Sequence, residues 1–307
     1  MTFGWPAACE PGVDCWVVHH LDHDPAPGAT SDFACGHLTY DGHDGTDIGI
    51  RDRNVVVDVV ASADGVVQKT RNDQPDHNGG PANTNISRLA RTECGNTVLL
   101  QHENGWRTFY CHMREGSVTV VPGQTVTKGE KLGEIGQSGL ADFPHVHLEI
   151  LKGKATIDPF TGEAASTACG TGTENSLWDV PVTYNPVFLY AAGFSPTTPH
   201  YEQVVLDATS PDSIGSEAPV LIFWFLGVGG APGDWLRLQV TDPSGKIVAA
   251  SDTVQQKSQI RIMRYTGLQN KTGRLKRGTY KGIAQLTRTT QGGETIERSI
   301  EQSVIIR

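Results

Sequence analysis

No run of apolar residues in this 307-residue sequence exceeds nine. The longest, VLIFWFLGV (Val220–Val228), is far short of the roughly 20 residues that span a bilayer, so no membrane span is expected. Its aromatic and β-branched content reads as a buried strand. Basic charge is scarce in the first part. Residues 1–190 carry 24 Asp and Glu against 12 Lys and Arg, a net of −12, whereas residues 191–307 carry 10 against 13, a net of +3. A phosphate backbone requires clustered Lys and Arg, so nucleic acid is excluded as the partner of the acidic part. The first residues, MTFGWPAACEPG, lack a basic segment followed by an apolar one, so no signal peptide is read there. The first half also lacks a convincing amphipathic helix, and the chain has no internal repeat.

What is abundant is turn chemistry. With 35 Gly, 17 Pro and only 19% charged residues, the composition reads as mainly β. The six cysteines are even in number and contain no C-x-x-C pair, which reads as a disulfide set with 15 connectivities and points to export. Cys94 and Cys111 flank two strand-like runs joined by the turn signal Glu103-Asn104-Gly105, so a hairpin would bring them together. Cys9–Cys15 follows from proximity and leaves Cys35–Cys169.

Residues 1–40 read as irregular. Short β-runs then recur at Asn54–Ser62, Asp64–Thr70, Gly95–His102, Trp106–Met113 and Ser117–Val121. They are interrupted by a long polar insertion at Arg71–Cys94, of the length that is usually functional or flexible. A linker-like stretch, FSPTTPH (Phe194–His200), precedes a second series of alternating strands. The expected organisation is a motif-bearing domain over 1–190, with its core at about 41–160, followed by a small β-sandwich over 199–307.

The polar pattern singles out five residues. In FPHVHLEI, strand alternation puts His145, His147 and Glu149 on one face and Val146, Leu148 and Ile150 on the other. Upstream, YDGHDGTDIGI supplies His43 and Asp47, with glycines at 42, 45 and 49 to let the chain bend. Two imidazoles and a carboxylate make a three-ligand zinc site with one open position, and His147 is the natural third ligand. His145 is placed to address that position without coordinating. In TFYCHMREGS, alternation puts His112 on the face of Tyr110 and Thr108, opposite Cys111 and Phe109. Glu149 and Tyr110 are weaker candidates for orienting roles. The cluster His19, His20 and His23 is flanked by Asp and Pro and reads as a solvated loop.

GHDGTD, then YCHM, then PHVHLEI, with the glycine-rich run Val121–Gly139 just before the last, resembles the lysostaphin/LytM-type zinc endopeptidases that cut peptidoglycan cross-bridges. That family's pattern is H-x-x-x-D, a later lone His, and H-x-H. The resemblance covers about Asp41 to Asp158. It implies a LytM-like antiparallel β-sheet domain binding one zinc ion per chain through His43, Asp47 and His147. It further implies His112 and His145 as catalytic histidines and peptidoglycan peptides as substrate. The competing expectation is a non-catalytic LytM-like module that binds the wall or regulates an amidase.

Overall fold

The computed structural model describes residues 1–76, 93–165, 168–290 and 292–307, so most of the polar insertion lies outside the described residues. The chain divides into two compact units, Met1–Asn185 and Pro186–Arg307.

The first unit is built on an eight-stranded sheet. Seven strands run in the order β1 (Cys15–His19), β2 (Thr46–Ile50), β9 (His145–Lys152), β6 (Trp106–Met113), β5 (Asn96–Gln101), β4 (Gly65–Arg71) and β7 (Thr125–Val126), and the short β10 (Ala155–Thr156) pairs with β9. Every pairing in it is antiparallel. A two-stranded sheet joins β3 (Asp58–Val60) to β8 (Lys131–Glu134). Alternation decides the faces. Val146, Leu148 and Ile150 of β9 are essentially inaccessible and join Ile48, Val98, Leu100 and Tyr110 in one apolar core. Leu132 and Ile135 of the glycine-rich run belong to the same core. The turn residues Asn104 and Gly105 both take left-handed φ values, 54° and 77°, as a tight hairpin between β5 and β6 demands.

Three disulfides form: Cys9–Cys15, Cys35–Cys169 and Cys94–Cys111. Cys94–Cys111 closes the β5–β6 hairpin, Cys9–Cys15 closes a short loop before β1, and Cys35–Cys169 ties two segments far apart in sequence. Two sequence expectations shift here. Residues 1–40 are not wholly irregular, since β1 extends the main sheet at its edge. Ser117–Val121 is not a strand, although Val120 still packs in the core.

The second unit is a sandwich of two sheets, ordered β11–β13–β16 and β12–β18–β17–β14–β15. The three-stranded sheet comprises β11 (Phe188–Ser195), β13 (Val220–Gly230) and β16 (Gln259–Gln269). The other comprises β12 (Ser213–Ile214), β18 (Thr295–Ile306), β17 (Gly278–Thr289), β14 (Trp235–Thr241) and β15 (Ile247–Val254). The apolar run Val220–Val228 is β13, the central strand of its sheet, with Phe223 and Phe225 in the core beside Leu238, Tyr280 and Leu286. Phe194, read as linker, is a core residue of β11. A short helix, α1 (Tyr201–Leu206), follows β11.

Candidate metal centre and active site

β2 and β9 are hydrogen-bonded neighbours in a register that sets Asp47 opposite His147 and Gly49 opposite His145. Opposed residues of an antiparallel pair share a face, so this register alone brings three polar side chains to one spot. Asp47 Oδ1 lies 2.9 Å from His147 Nδ1. The turn before β2 returns His43, whose Nε2 is 3.2 Å from Asp47 Oδ1 and 3.2 Å from His147 Nδ1. Of the glycines at 42, 45 and 49, only Gly42 takes a left-handed φ (76°). Gly45 serves close approach instead: a β-carbon there would sit 2.6 Å from the His147 ring.

The three donor atoms of His43, Asp47 and His147 all lie within 4.8 Å of one another, a group able to hold a metal ion. The other such group among the described residues is Cys9, Asp14 and Cys15, whose sulfurs are spent in a disulfide. The tautomers fit a metal at the first group. His43 Nδ1 donates to the His20 carbonyl (2.7 Å), leaving the Nε2 lone pair facing inward. His147 turns Nε2 toward the Asp44 carboxylate (3.4 Å), leaving Nδ1 for the centre. The electrostatics agree. Burial alone would raise the Asp47 pKa, yet His43 and the surrounding histidines hold it well below the usual carboxylate range. Burial likewise disfavours a charged His147, but Asp44 and Asp47 outweigh it and push its pKa up to about 10. The site therefore favours positive charge where the three donors meet.

His112 and His145 flank this group, with ring centroids 4.6 Å apart. Each donates Nδ1–H to a backbone carbonyl, His112 to Ser138 (2.8 Å) and His145 to Phe143 (2.8 Å). Each consequently presents Nε2 as an acceptor, and His145 Nε2 is 3.7 Å from Asp47 Oδ1. Burial lowers both pKa values, that of His112 to about 4, so both rings are neutral near neutral pH. Such a pair can accept a proton from one group and hand it to another.

Alternation misplaces His112. Tyr110 and Thr108 point into the core, where the Tyr110 hydroxyl accepts the Ser62 N–H (2.8 Å) and Burial holds its phenol pKa above the usual value. His112 reaches the other face because its own backbone is left-handed (φ 61°). Cys111 is the residue opposite His147 in register, and its sulfur is committed to Cys94. Glu149 accepts a hydrogen bond from Thr156 Oγ1 (2.9 Å), an engagement with β10 rather than with the donor group.

The reading of His19, His20 and His23 as a solvated loop is overturned, since all three are buried. His19 Nδ1 lies 2.6 Å from Asp47 Oδ2, and His23 Nε2 lies 2.8 Å from Asp158 Oδ2. His20 packs edge-on against Phe33 and Phe160. Their partners stand 28 and 135 positions away, so the flanking Asp and Pro residues gave no sign of them. Asp44 was missed as well, although it adjoins His43 in the motif itself.

The sequence pattern of peptidase family M23 matches residues 41–159. Over 109 residues the chain is 31% identical to the peptidoglycan DD-endopeptidase ShyA of Vibrio cholerae, which covers 36% of this chain and 20% of that protein. Over 71 residues it is 39% identical to the cell division protein DipM of Caulobacter vibrioides, covering 21% of this chain and 11% of that one. The chain spans a fifth or less of the length of these curated relatives. Among solved structures, the catalytic domain of lysostaphin from Staphylococcus simulans is 20% identical, covers 45% of this chain and 85% of its own, and superposes with a TM-score of 0.29.

Proposed function

With residues 41–159 a peptidase family M23 domain, we propose that this chain is a zinc-dependent endopeptidase acting on the stem or cross-bridge peptides of peptidoglycan. The observation that carries the reading is the convergence of His43 Nε2, Asp47 Oδ1 and His147 Nδ1, with two neutral histidines beside them. These three residues would hold one zinc ion. When bound, zinc supplies Lewis acidity, polarising a carbonyl and lowering the pKa of water toward roughly 7.

The chain's own residues supply the rest. His112 and His145 are anchored through Nδ1, so each can accept a proton at Nε2 from the attacking water. A histidine protonated in that step carries positive charge toward the developing oxyanion and can then protonate the departing amine. Asp44 fixes the ring of His147 through Nε2. All of these residues lie in the first unit, and the sandwich over 186–307 is proposed as accessory. Export to the cell envelope is part of the reading. It is supported by three disulfides, which persist in oxidising compartments, and by likeness to a peptidoglycan endopeptidase.

The test is mass spectrometry of fragments released from purified sacculi by the wild-type chain, a chelator-treated sample and His43→Ala. New peptide amines that appear with the wild type alone are expected, and their masses identify the bond cut. No release by a wild-type chain loaded with stoichiometric zinc would sink the endopeptidase reading and favour a regulatory role.

A further inference from the structure

A segment outside the family match wraps the candidate metal centre. β1 pairs with β2 through Cys15↔Ile50, Trp16↔Gly49 and Val17↔Ile48, and then shifts by one so that His19 rather than Val18 stands opposite Asp47. That shift is a β-bulge, a device that re-aims a side chain at the cost of one unpaired residue. Without it the apolar Val18 would face the carboxylate. With it, His19 Nδ1 lies 2.6 Å from Asp47 Oδ2, and both side chains are nearly inaccessible, 10% and 4% exposed. The two oxygens of Asp47 thereby divide their work. Oδ1 faces His43 and His147, while Oδ2 is taken by His19. Rings of Tyr40, His43 and Phe143 stand edge-on around the His19 imidazole at 5.2, 5.6 and 5.8 Å and limit its rotation.

The same segment orients a second donor. The His20 carbonyl accepts Nδ1–H of His43, the Asp22 N–H donates to the His43 carbonyl (2.8 Å), and the Asp22 carboxylate accepts the Gly42 N–H (3.0 Å).

We infer that His19 is a positioning residue for Asp47: it donates Nδ1–H to Oδ2, reserves Oδ1 for the metal and thereby tightens metal binding. The inference rests on the metal-centre reading proposed above. A ligating carboxylate already held at its second oxygen has little rotational freedom left to lose on binding metal, and removal of such an outer partner typically weakens a site by about 10–100-fold.

The experiment uses the full chain as wild type, His19→Phe and His19→Asn. Phe keeps a ring of similar size and removes the donor, whereas Asn can place an N–H near the position of Nδ1. Zinc affinity is measured by competition with a chromophoric chelator, together with the visible absorption spectrum of the Co²⁺ form and the melting temperature of each metal-free protein. His19→Phe is expected to weaken zinc binding by about 10–100-fold and to alter the cobalt spectrum, and His19→Asn to recover most of both. Unchanged affinity and spectrum in His19→Phe would overturn the inference. Should that variant not fold, the ¹⁵N shifts of His19 in the zinc-loaded wild type decide. A proton on Nδ1 supports the inference and a proton on Nε2 overturns it. A wild-type chain that binds no zinc or cobalt at all would instead bring down the metal-centre reading, and the role of His19 with it.

Discussion

His112 sits in a left-handed backbone conformation (φ 61°) that costs a non-glycine residue about 1–3 kcal/mol. Three hydrogen bonds hold it there: its N–H to the Cys94 carbonyl (2.8 Å), its carbonyl from the Gly136 N–H (3.1 Å), and Nδ1 to Ser138. The return on that strain is an imidazole turned onto the face of His145 and His147. His112→Gln and His145→Gln are therefore each expected to lower kcat by about 10²–10⁴-fold while zinc remains stoichiometric, read by turnover and metal analysis on the same preparation. Loss of zinc in parallel with activity would mean that these residues hold the metal rather than move protons. His20 makes a separate prediction. Burial lowers its pKa to about 4, and its Nδ1 has no hydrogen-bond partner among the described residues. Its folded pKa lies below the unfolded value of about 6.5. The stability it contributes is thus fully present above pH 6.5 and is lost as pH falls toward 4. His20→Phe should flatten this limb by about 3 kcal/mol relative to wild type, measured by denaturant unfolding across that range. Parallel pH profiles for the two proteins would show that His20 titrates in the fold as it does in the unfolded chain, and would sink the prediction.

At the scale of the element, the β5–β6 hairpin and its flanks deliver His112. Gly95 precedes β5 with φ 61°, and a β-carbon there would strike Ser138. Ser138 in turn accepts Nδ1–H of His112 and donates from Oγ to the Met113 carbonyl (2.6 Å). Gly95→Ala is expected to cost about 1–3 kcal/mol in stability and to lower kcat through displacement of Ser138, checked by thermal unfolding beside turnover. A folded variant with unchanged kcat would show that Ser138 does not position His112. What could be read from the residue pattern was whatever depends on local period. In β9 the alternation separates the core residues Val146, Leu148 and Ile150 from His145 and His147, and Asn104-Gly105 marks the hairpin. His43, Asp47 and His147 were legible because spacing and donor chemistry coincide. The face of His112 was not, since one left-handed residue resets the parity of its strand. Nor was His19, because its role depends on a bulge and on a partner strand 28 residues away. A shift of register leaves no period in the sequence.

At the scale of the molecule, the two units draw on different sources of stability. Residues 186–307 hold no cysteine and rely on a sandwich core of Phe223, Phe225, Leu238 and Leu286. Residues 1–185 hold all three disulfides, and Cys35–Cys169 closes a separation of 134 residues. By loop-closure entropy, a bridge of that span restricts the unfolded chain by about 4–5 kcal/mol, and the shorter loops of 6 and 17 residues add less. The long bridge also secures the region that carries Asp32, whose carboxylate caps the backbone N–H groups of Ala34, Gly36 and Leu38. The second unit gains nothing from oxidation. Calorimetry of the intact chain should accordingly show two transitions, of which reductant moves only one. For a unit of this size each kcal/mol shifts the midpoint by about 2–4 °C, so the reduced first unit should melt about 10–20 °C lower while the sandwich transition stays in place. Zinc should raise the same transition that reductant lowers, because ligand bound only to the folded state stabilises the unit that holds it. If the two agents moved different transitions, the metal site and the disulfides could not belong to one cooperative unit, and the assignment of His43, Asp47 and His147 as a zinc site in the first unit would fail.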